Sequence, residues 1–176
     1  MLKQFQENEF PQVLQKLAIT PGPSLNEKER LDYIKSFLDN STIQYKSDKS
    51  GNIWVTLKEG DWSDTVVFDA HVEVVEKGYC DDVIIDDNRI TGLGVGDNLT
   101  AVTMLLLLIK DVTHNKIVLN YPLKILFSVG EEGEGNLKGV RQMVNDNPSA
   151  PKLFISFDIS YIFDFTPVVL SSRYIS

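Results

Sequence analysis

The stretch Leu123-Lys-Ile-Leu-Phe-Ser-Val-Gly-Glu-Glu-Gly133 joins an apolar run to two adjacent acidic residues. The apolar run predicts a buried strand, which would present Glu131 and Glu132 at the edge of a sheet, where catalytic groups usually lie. Two like charges so close repel each other, and this is tolerable only if a cation or a shared proton separates their roles. The stretch therefore predicts a catalytic or metal-binding edge.

Two further apolar runs end in side chains that can bind a metal. Thr65-Val-Val-Phe-Asp-Ala-His71 ends in an imidazole, and Leu153-Phe-Ile-Ser-Phe157 is followed by Asp158. A further candidate ligand, Asp97, follows the alternating glycines of Gly92-Leu-Gly-Val-Gly96. One imidazole with several carboxylates is the ligand set of a hard or borderline metal ion. A metal-assisted hydrolase is therefore the leading hypothesis.

The spacing of these residues suggests how their roles divide. Neighbouring residues of an extended chain face different ways, so one acid of the Glu131-Glu132 pair can bind a metal while the other acts as general base. Residues two apart share a face, which puts Glu73 beside His71. A metal-binding imidazole usually donates its second N–H to a carboxylate, and Glu73 can accept it. Structural roles stay open for His71, as a hydrogen-bonded residue, and for Asp97, as a helix N-cap.

Strands that alternate with helices predict an α/β fold with a layered sheet, in one domain over residues 1–176. The expected elements are hairpins within residues 43–57 and 83–90, strands over 65–71, 123–129 and 153–157, and helices within 2–19, after 24–27, and over 99–112 and 137–144. Pro11 is expected to divide the first helical segment, and Ser24-Leu-Asn-Glu27 has the pattern of a capping box. Residues 167–174 predict a strand that begins just as the sequence stops, so we expect a part of a longer protein.

Composition and charge disfavour several classes of protein. The 176 residues are 43% hydrophobic and 24% charged, as in soluble globular proteins. The net charge of −8 argues against nucleic-acid binding, which needs a basic surface. The N-terminus does not resemble a signal peptide, no apolar run is long enough to cross a membrane, and the single cysteine, Cys80, cannot form an internal disulfide. A cytoplasmic location is expected.

Two other chemistries have weaker signals. Gly92, Gly94 and Gly96 invite comparison with the dinucleotide-binding pattern G-x-G-x-x-G, but neither register completes it. A serine nucleophile would need a motif such as G-x-S-x-G, which the sequence lacks. The second histidine, His114, lies in a polar segment and is expected to be solvated.

Together these residues resemble the di-zinc exopeptidase and deacylase family that includes tripeptidase (peptidase T), acetylornithine deacetylase, aminoacylase and carboxypeptidase G. The resemblance rests on five segments that occur in order: Thr20-Pro-Gly-Pro-Ser-Leu-Asn-Glu27, Ala70-His-Val-Glu-Val-Val75, Gly94-Val-Gly-Asp-Asn98, Val129-Gly-Glu-Glu-Gly133 and Ser156-Phe-Asp158. The family implies a three-layer α/β/α catalytic domain with a mixed central sheet. It also implies a second, lid or dimerisation domain, which we expect to be absent from this chain.

Residue by residue, the resemblance implies a pair of zinc ions. His71 and Asp158 would bind one ion, Glu132 would bind the other, and Asp97 would bridge them. Glu131 would be the general base that takes a proton from the attacking water. Cobalt or manganese could replace zinc, the implied substrates are small peptides or N-acyl amino acids, and the full-length protein could be a homodimer.

Three departures from the family pattern bear on activity. Glu73, in the supporting catalytic position beside the imidazole, replaces an aspartate and is one methylene longer, and Asn98 replaces a residue that is often an acid or a lysine. No histidine follows Asp158, so the last zinc ligand of the family has no counterpart. We therefore expect a partial catalytic domain with weak or no turnover in isolation. The alternative is a catalytically degenerate relative that serves as a binding or assembly module.

Overall fold

A mixed five-stranded sheet lies at the centre of the computed structural model, which describes residues 9–75, 82–86 and 89–158. The strands in these ranges are β1 (Lys46–Ser47), β2 (Ile53–Lys58), β3 (Val66–His71), β4 (Ile84–Asp86), β5 (Arg89–Thr91), β6 (Leu123–Ser128) and β7 (Leu153–Ser156). The helices are α1 (Glu9–Ile19), α2 (Lys28–Asn40), α3 (Thr100–His114) and α4 (Lys138–Asp146). The strand order is β1-β2-β6-β3-β7, and β4 and β5 form a separate hairpin.

Strand β3 lies between β6 and β7 and runs parallel to both. His71 pairs with Ser128 of β6, and Asp69 pairs with Ser156 of β7. β2 and β1 complete the sheet as antiparallel strands. Because β3, β6 and β7 are parallel neighbours, the chain leaves all three at the same edge of the sheet.

Helices cover both faces of the sheet. On one face, α1, α2 and α3 pack on apolar side chains of β2 and β6 that include Val55, Ile125 and Phe127. On the other face, α4 places Met143 against Val67 and Leu126. Successive strand residues point to opposite faces, so the nearly continuous apolar run of β6 is buried on both sides. The expected three-layer α/β/α architecture with a mixed sheet is confirmed.

Helix α3 is apolar on more than one side because it packs against the sheet and against neighbouring helices. Its buried residues include Val102, Leu106 and Ile109, each at 0% exposure. Complete burial of such a side chain contributes ~1.5–3 kcal/mol to the hydrophobic stabilisation. The helix therefore provides a rigid base for the segment that precedes it, which carries Asp97.

Two local predictions for the N-terminal region differ from the structure. Pro11 lies in the first turn of α1, where its missing N–H needs no partner, so the helix is not divided from Glu9 onward. Residues before Glu9 lie outside the described ranges. The capping-box prediction for Ser24 and Glu27 is wrong, because α2 begins at Lys28 and Glu27 makes no side-chain capping hydrogen bond. The Ser24 hydroxyl instead donates to the Glu132 carbonyl oxygen, at 3.0 Å.

The remaining predicted elements agree with the structure where it describes them. The two hairpins are present as β1–β2 and β4–β5. Strands β3, β6 and β7 and helices α3 and α4 lie close to their expected bounds. Cys80 and residues 167–174 lie outside the described ranges. None of the helices in those ranges has both the length and the hydropathy of a membrane span.

Gly139 lies where α4 packs against the end of β6, so a substitution at this position measures how tight the packing is. A Cβ atom there would lie 2.2 Å from Asn52 Oδ1 and 2.7 Å from the Val129 nitrogen. Alanine stabilises a helix interior by ~1 kcal/mol over glycine, so Gly139→Ala would be stabilising if the position were open. We expect the opposite sign, a free energy of unfolding lower by about 1–3 kcal/mol in urea denaturation. Asn145→Ala, at an exposed position of α4, is the control; a stabilised Gly139→Ala would contradict this packing.

Candidate metal centre

Three strand ends bring predicted site residues to one edge of the sheet. His71 is the last residue of β3 and is 2% exposed. Glu131 and Glu132 follow the end of β6, and Asp158 follows the end of β7. Because the three strands are parallel neighbours, these side chains leave the sheet beside one another.

Asp97 reaches the same edge from the irregular turn Val95–Leu99 that precedes α3. Its backbone is extended, with φ −121° and ψ 94°, and its peptide bond to Asn98 is cis. α3 begins at Thr100 without a side-chain cap, so Asp97 is not the helix N-cap. The turn is held in place by Asn98 Nδ2, which donates to the Phe157 carbonyl oxygen at 2.5 Å, beside Asp158.

Two sets of three residues are close enough to share a metal ion. In the first set, His71, Asp97 and Asp158 each offer a ligand atom within 4.8 Å of the others. His71 Nε2 lies 3.1 Å from Asp97 Oδ1 and 3.9 Å from Asp158 Oδ1. In the second set, His71, Glu131 and Glu132 meet the same condition. One buried imidazole is thus common to both sets.

The two acids of the loop after β6 approach the same imidazole. One oxygen of Glu131 and one of Glu132 lie within 4.8 Å of each other and of a His71 nitrogen. Gly130 adopts a φ of 59° and turns the chain out of β6, and the backbone of Glu132 is again extended, with φ −80° and ψ 149°. Because both acids reach the same imidazole, proximity to it does not distinguish the metal ligand from the general base, and the division of roles between the two acids stays a prediction.

Glu73 supports both the imidazole and the loop. It is 0% exposed, and its Oε1 accepts hydrogen bonds from the backbone N–H groups of Glu131 and Glu132, the latter at 3.0 Å. Its Oε2 is 3.9 Å from His71 Nδ1, which is too long for a hydrogen bond. Among the described residues, neither of these two facing atoms has a hydrogen-bond partner. The longer glutamate side chain thus contacts the loop amides directly and faces the imidazole across a gap.

Neighbouring charges control the protonation of the site. Burial lowers the pKa of His71, but Asp158, Glu73 and Glu131 outweigh it and raise that pKa to about 9. Burial raises the pKa of Glu131; the positive charge of His71 opposes this rise, and the negative charges of Glu132, Asp158 and Glu73 add to it. A carboxylate with a raised pKa accepts a proton from water more readily than a solvated one, which suits a general base.

Sequence reasoning missed an acid beneath the site. Asp69 precedes His71 by two residues, so both lie on one face of β3, and Asp69 is 2% exposed. The Ser156 hydroxyl donates to Asp69 Oδ2 at 2.8 Å and thereby joins β3 to β7. Burial raises the pKa of Asp69 to about 6, although the hydroxyl groups of Ser128 and Ser156 oppose the rise. The two-residue period of a strand is the signal that points to this residue.

Sequence reasoning also missed the partners of the loop that carries the two acids. The Ser24 hydroxyl binds the Glu132 carbonyl oxygen, and Glu27 Oε1 accepts the Gly130 N–H at 3.0 Å. These contacts join residues that are 108 and 103 positions apart in the sequence. No local pattern could indicate them.

A small open cavity of about 250 Å³ adjoins Glu132. Both apolar side chains and carboxylates form its walls. The lining residues are Pro23, Ser24, Leu25, Val75, Glu132, Gly133 and Glu134.

The fold and the site define a layered α/β protein with a metal-ligand cluster at the carboxyl ends of its parallel strands. The sequence model of peptidase family M20/M25/M40 matches residues 65–169, which is more than half of the chain. The chain therefore belongs to this peptidase family. No curated protein sequence matches it significantly.

Solved structures with the same fold include several peptidases. A tripeptidase from Staphylococcus aureus superposes with a TM-score of 0.72 and 16% identity, over 91% of this chain and 45% of that protein. Aminopeptidase PepT from Bacillus cereus superposes with a TM-score of 0.70 and 19% identity, over 86% of this chain and 43% of that protein. Aminoacylhistidine dipeptidase from Vibrio alginolyticus superposes with a TM-score of 0.63 and 18% identity, over 91% of this chain and 34% of that protein. The chain thus spans less than half the length of each, and similarity at these identities concerns the fold alone.

The charge of His71 leads to a pH prediction for the metal-free protein. Its folded pKa of about 9 exceeds the reference value of 6.5. The stabilisation by the imidazolium is therefore fully present below pH 6.5 and is lost as the pH rises through about 9. With a chelator present, we expect the free energy of unfolding to fall across this range by on the order of 3 kcal/mol. His71→Gln should lack this fall in the free energy of unfolding, whereas His114→Gln, which changes the exposed histidine, should keep it. The same pH dependence in wild type and in both variants would contradict the raised pKa of His71.

Proposed function

We propose that residues 1–176 are part of the catalytic domain of a metal-dependent peptidase that hydrolyses peptide or N-acyl amino-acid amide bonds. The observation that carries the proposal is the convergence of one imidazole and four carboxylates where β3, β6 and β7 end. Membership of the peptidase family supports it, and so does the fold shared with a tripeptidase and a dipeptidase.

The donor set suits two divalent ions, with zinc as the expected metal and cobalt or manganese as possible substitutes. His71 and Asp158 would hold one ion and Glu132 the other, with Asp97 between them. The positions of Asp97 and Asp158 near His71 Nε2 fit this assignment, and the mutual repulsion of the carboxylates favours a bound cation. Bound ions of this kind polarise an amide carbonyl and neutralise the negative charge that develops on its oxygen.

Glu131 is the proposed general base. Its carboxylate accepts a proton from water as the water oxygen forms a bond to the amide carbon. The protonated carboxyl group then gives this proton to the leaving amine nitrogen as the C–N bond breaks. Its raised pKa makes Glu131 suitable for both transfers, because the carboxyl group can hold the proton between the two steps.

The number of imidazoles limits the activity expected of these residues. The chain has two histidines, and His114 lies at the end of α3 with Nε2 3.2 Å from the Ser41 carbonyl oxygen, outside both ligand sets. Among the residues that the structure describes, the two ligand sets then leave Asp97 and Glu132 for the second ion. We therefore expect weak metal binding and little turnover from residues 1–176 alone.

The cavity beside Glu132 supports a small substrate with a polar end. Leu25 and Val75, each 50% exposed, provide apolar contact area on its walls. The carboxylates of Glu132 and Glu134 lie on the same cavity. Peptides and N-acyl amino acids both combine an apolar side chain with polar groups of this size.

A second candidate function is that of a binding or assembly module without catalysis. The observation that favours it is the gap of 3.9 Å between Glu73 and His71, where a supporting carboxylate would normally form a hydrogen bond. Metal binding without any hydrolysis, also in a longer form of the protein, would support this function. The dinucleotide hypothesis loses support, because the glycines follow β5, an exposed strand of the separate hairpin.

Metal titration tests the donor set. We expect the chain to bind Co²⁺, detected by its visible absorption, and Asp97→Ala to lose measurable binding because both ions would share this carboxylate. Asp64→Ala removes an equal charge at an exposed position and serves as the control. Equal binding by all three proteins would contradict the proposed centre.

Two isosteric variants separate the base from the ligand. Glu131→Gln should keep most of the Co²⁺ affinity while tripeptide hydrolysis by the cobalt-loaded protein, measured in a longer form because residues 1–176 alone should turn over little, falls by about 10²–10⁴-fold. Glu132→Gln should weaken Co²⁺ binding itself. Both quantities are measured on the same preparations. The assignment of roles is wrong if Glu131→Gln loses the metal and Glu132→Gln retains it.

A further inference from the structure

The first turn of α2 and the loop before it contact the loop that carries Glu131 and Glu132. Glu27 is 6% exposed, and its Oε1 accepts the N–H of Gly130 at 3.0 Å and the N–H of Leu25 at 2.8 Å. One buried oxygen thus joins the start of α2 to the residue before the proposed base. The hydroxyl of Ser24 adds a contact at the other end of the pair, on the Glu132 carbonyl oxygen.

Arg30, one turn further along α2, contacts the end of β3. Its side chain is 0% exposed, and Nη1 donates to the carbonyl oxygens of Val72, at 2.8 Å, and Gly22, at 3.0 Å. Val72 lies between His71 and Glu73. Further donors of the same guanidinium bind the carbonyl oxygens of Leu17 and Thr20. The short stretch from Glu27 to Arg30 therefore contacts both of the strand ends that carry the imidazole and the acid pair.

The buried charges of this cluster balance each other. Burial lowers the pKa of Arg30 to about 10, while the negative charges of Glu73 and Glu27 oppose the decrease, so the guanidinium stays protonated at neutral pH. Glu73 holds the N–H groups of Glu131 and Glu132. A buried acid is costly without a nearby cation, and Arg30 supplies that cation for both glutamates.

The loop needs such support because glycines flank the two acids. Gly130 and Gly133 both have positive φ, at 59° and 52°. Glycine has access to many backbone conformations, so the sequence by itself would let Glu131 and Glu132 adopt several orientations. The hydrogen bonds that the loop amides donate to Glu27 and Glu73 select one of these orientations.

We propose that Glu27 and Arg30 are positioning residues of the metal centre: together they fix the backbone of residues 130–132 against the end of β3. This proposal rests on the proposed function for its chemical meaning. Neither residue belongs to the ligand sets, and Glu27 acts on the centre through the Gly130 N–H. Loss of the acceptor at position 27 should loosen the acid pair while His71 stays in β3.

Three variants of α2 distinguish positioning from general stabilisation. Glu27→Ala removes the acceptor, Glu27→Gln keeps a carbonyl oxygen that can accept the Gly130 N–H, and Ile34→Val trims a fully buried side chain of the same helix away from the loop. Ile34→Val is expected to lower the melting temperature and serves as the destabilised control. Each protein is measured for Co²⁺ affinity, for thermal unfolding, and, without metal, for amide hydrogen exchange of the segment 130–132.

We expect Glu27→Ala to weaken Co²⁺ binding by about 10–100-fold, the usual effect of removing a residue that orients metal ligands. Amide exchange of residues 130–132 should accelerate in this variant, while exchange within β3 stays at the wild-type rate. Glu27→Gln should recover most of the affinity and the protection. Ile34→Val should keep both, despite its lower melting temperature.

Two results would overturn the proposal. One is wild-type exchange of residues 130–132 in Glu27→Ala. The other is a loss of Co²⁺ affinity in Ile34→Val and Glu27→Ala that simply follows their loss of thermal stability. If the wild-type chain binds no Co²⁺, the proposed function fails, and the metal-free exchange data still decide whether Glu27 orders the loop.

Discussion

The parallel pairing of β3 with β6 and β7 is the constraint on which the rest of this structure depends. Six residue pairs align β3 with β6, and four align it with β7. Side chains alternate between the faces of a strand, so a slip of one residue would turn His71 toward the face covered by α1, α2 and α3. Asp158 and the loop after β6 would then lose their common neighbour. Backbone hydrogen bonds, rather than any attraction among the site residues, bring these groups together.

The acidic side chains that converge at this edge repel one another, and positive charge in two places offsets the repulsion. At the sheet edge, His71 holds a proton because the carboxylates around it raise its pKa. Beneath the edge, Arg30 lies close enough to Glu27 and Glu73 for their charges to oppose the burial effect on its pKa. A metal ion would replace the proton of His71, because an imidazole must be neutral at the nitrogen that binds a metal. The same geometry therefore accounts for the protonated state without metal and for the expected affinity for a cation.

Much of the fold could be predicted because its elements are encoded locally. The apolar runs before His71, Glu131 and Asp158 became β3, β6 and β7, and the strands of both hairpins pair within their expected ranges. The prediction for Ser24 and Glu27 was wrong for an instructive reason. Their pattern satisfies a local rule for starting a helix, but distant backbone groups offered those side chains better-placed partners. Pro11 was expected to divide the first helix, but it does not, because it lies in the first turn of α1, where a missing N–H needs no partner.

The sequence by itself determined the strands, the helices and which ligand types stand at the strand ends, because hydrophobic period and residue chemistry are written along the chain. Only the tertiary structure decided that Glu131 and Glu132 approach one imidazole and that Asp97 is not a helix cap. It alone also decided that Ser24 and Glu27, just before α2, hold the loop. These outcomes depend on strand register, on a left-handed glycine and on contacts across more than one hundred positions. Such distances in sequence leave no local pattern, and the packed fold is what makes them short in space.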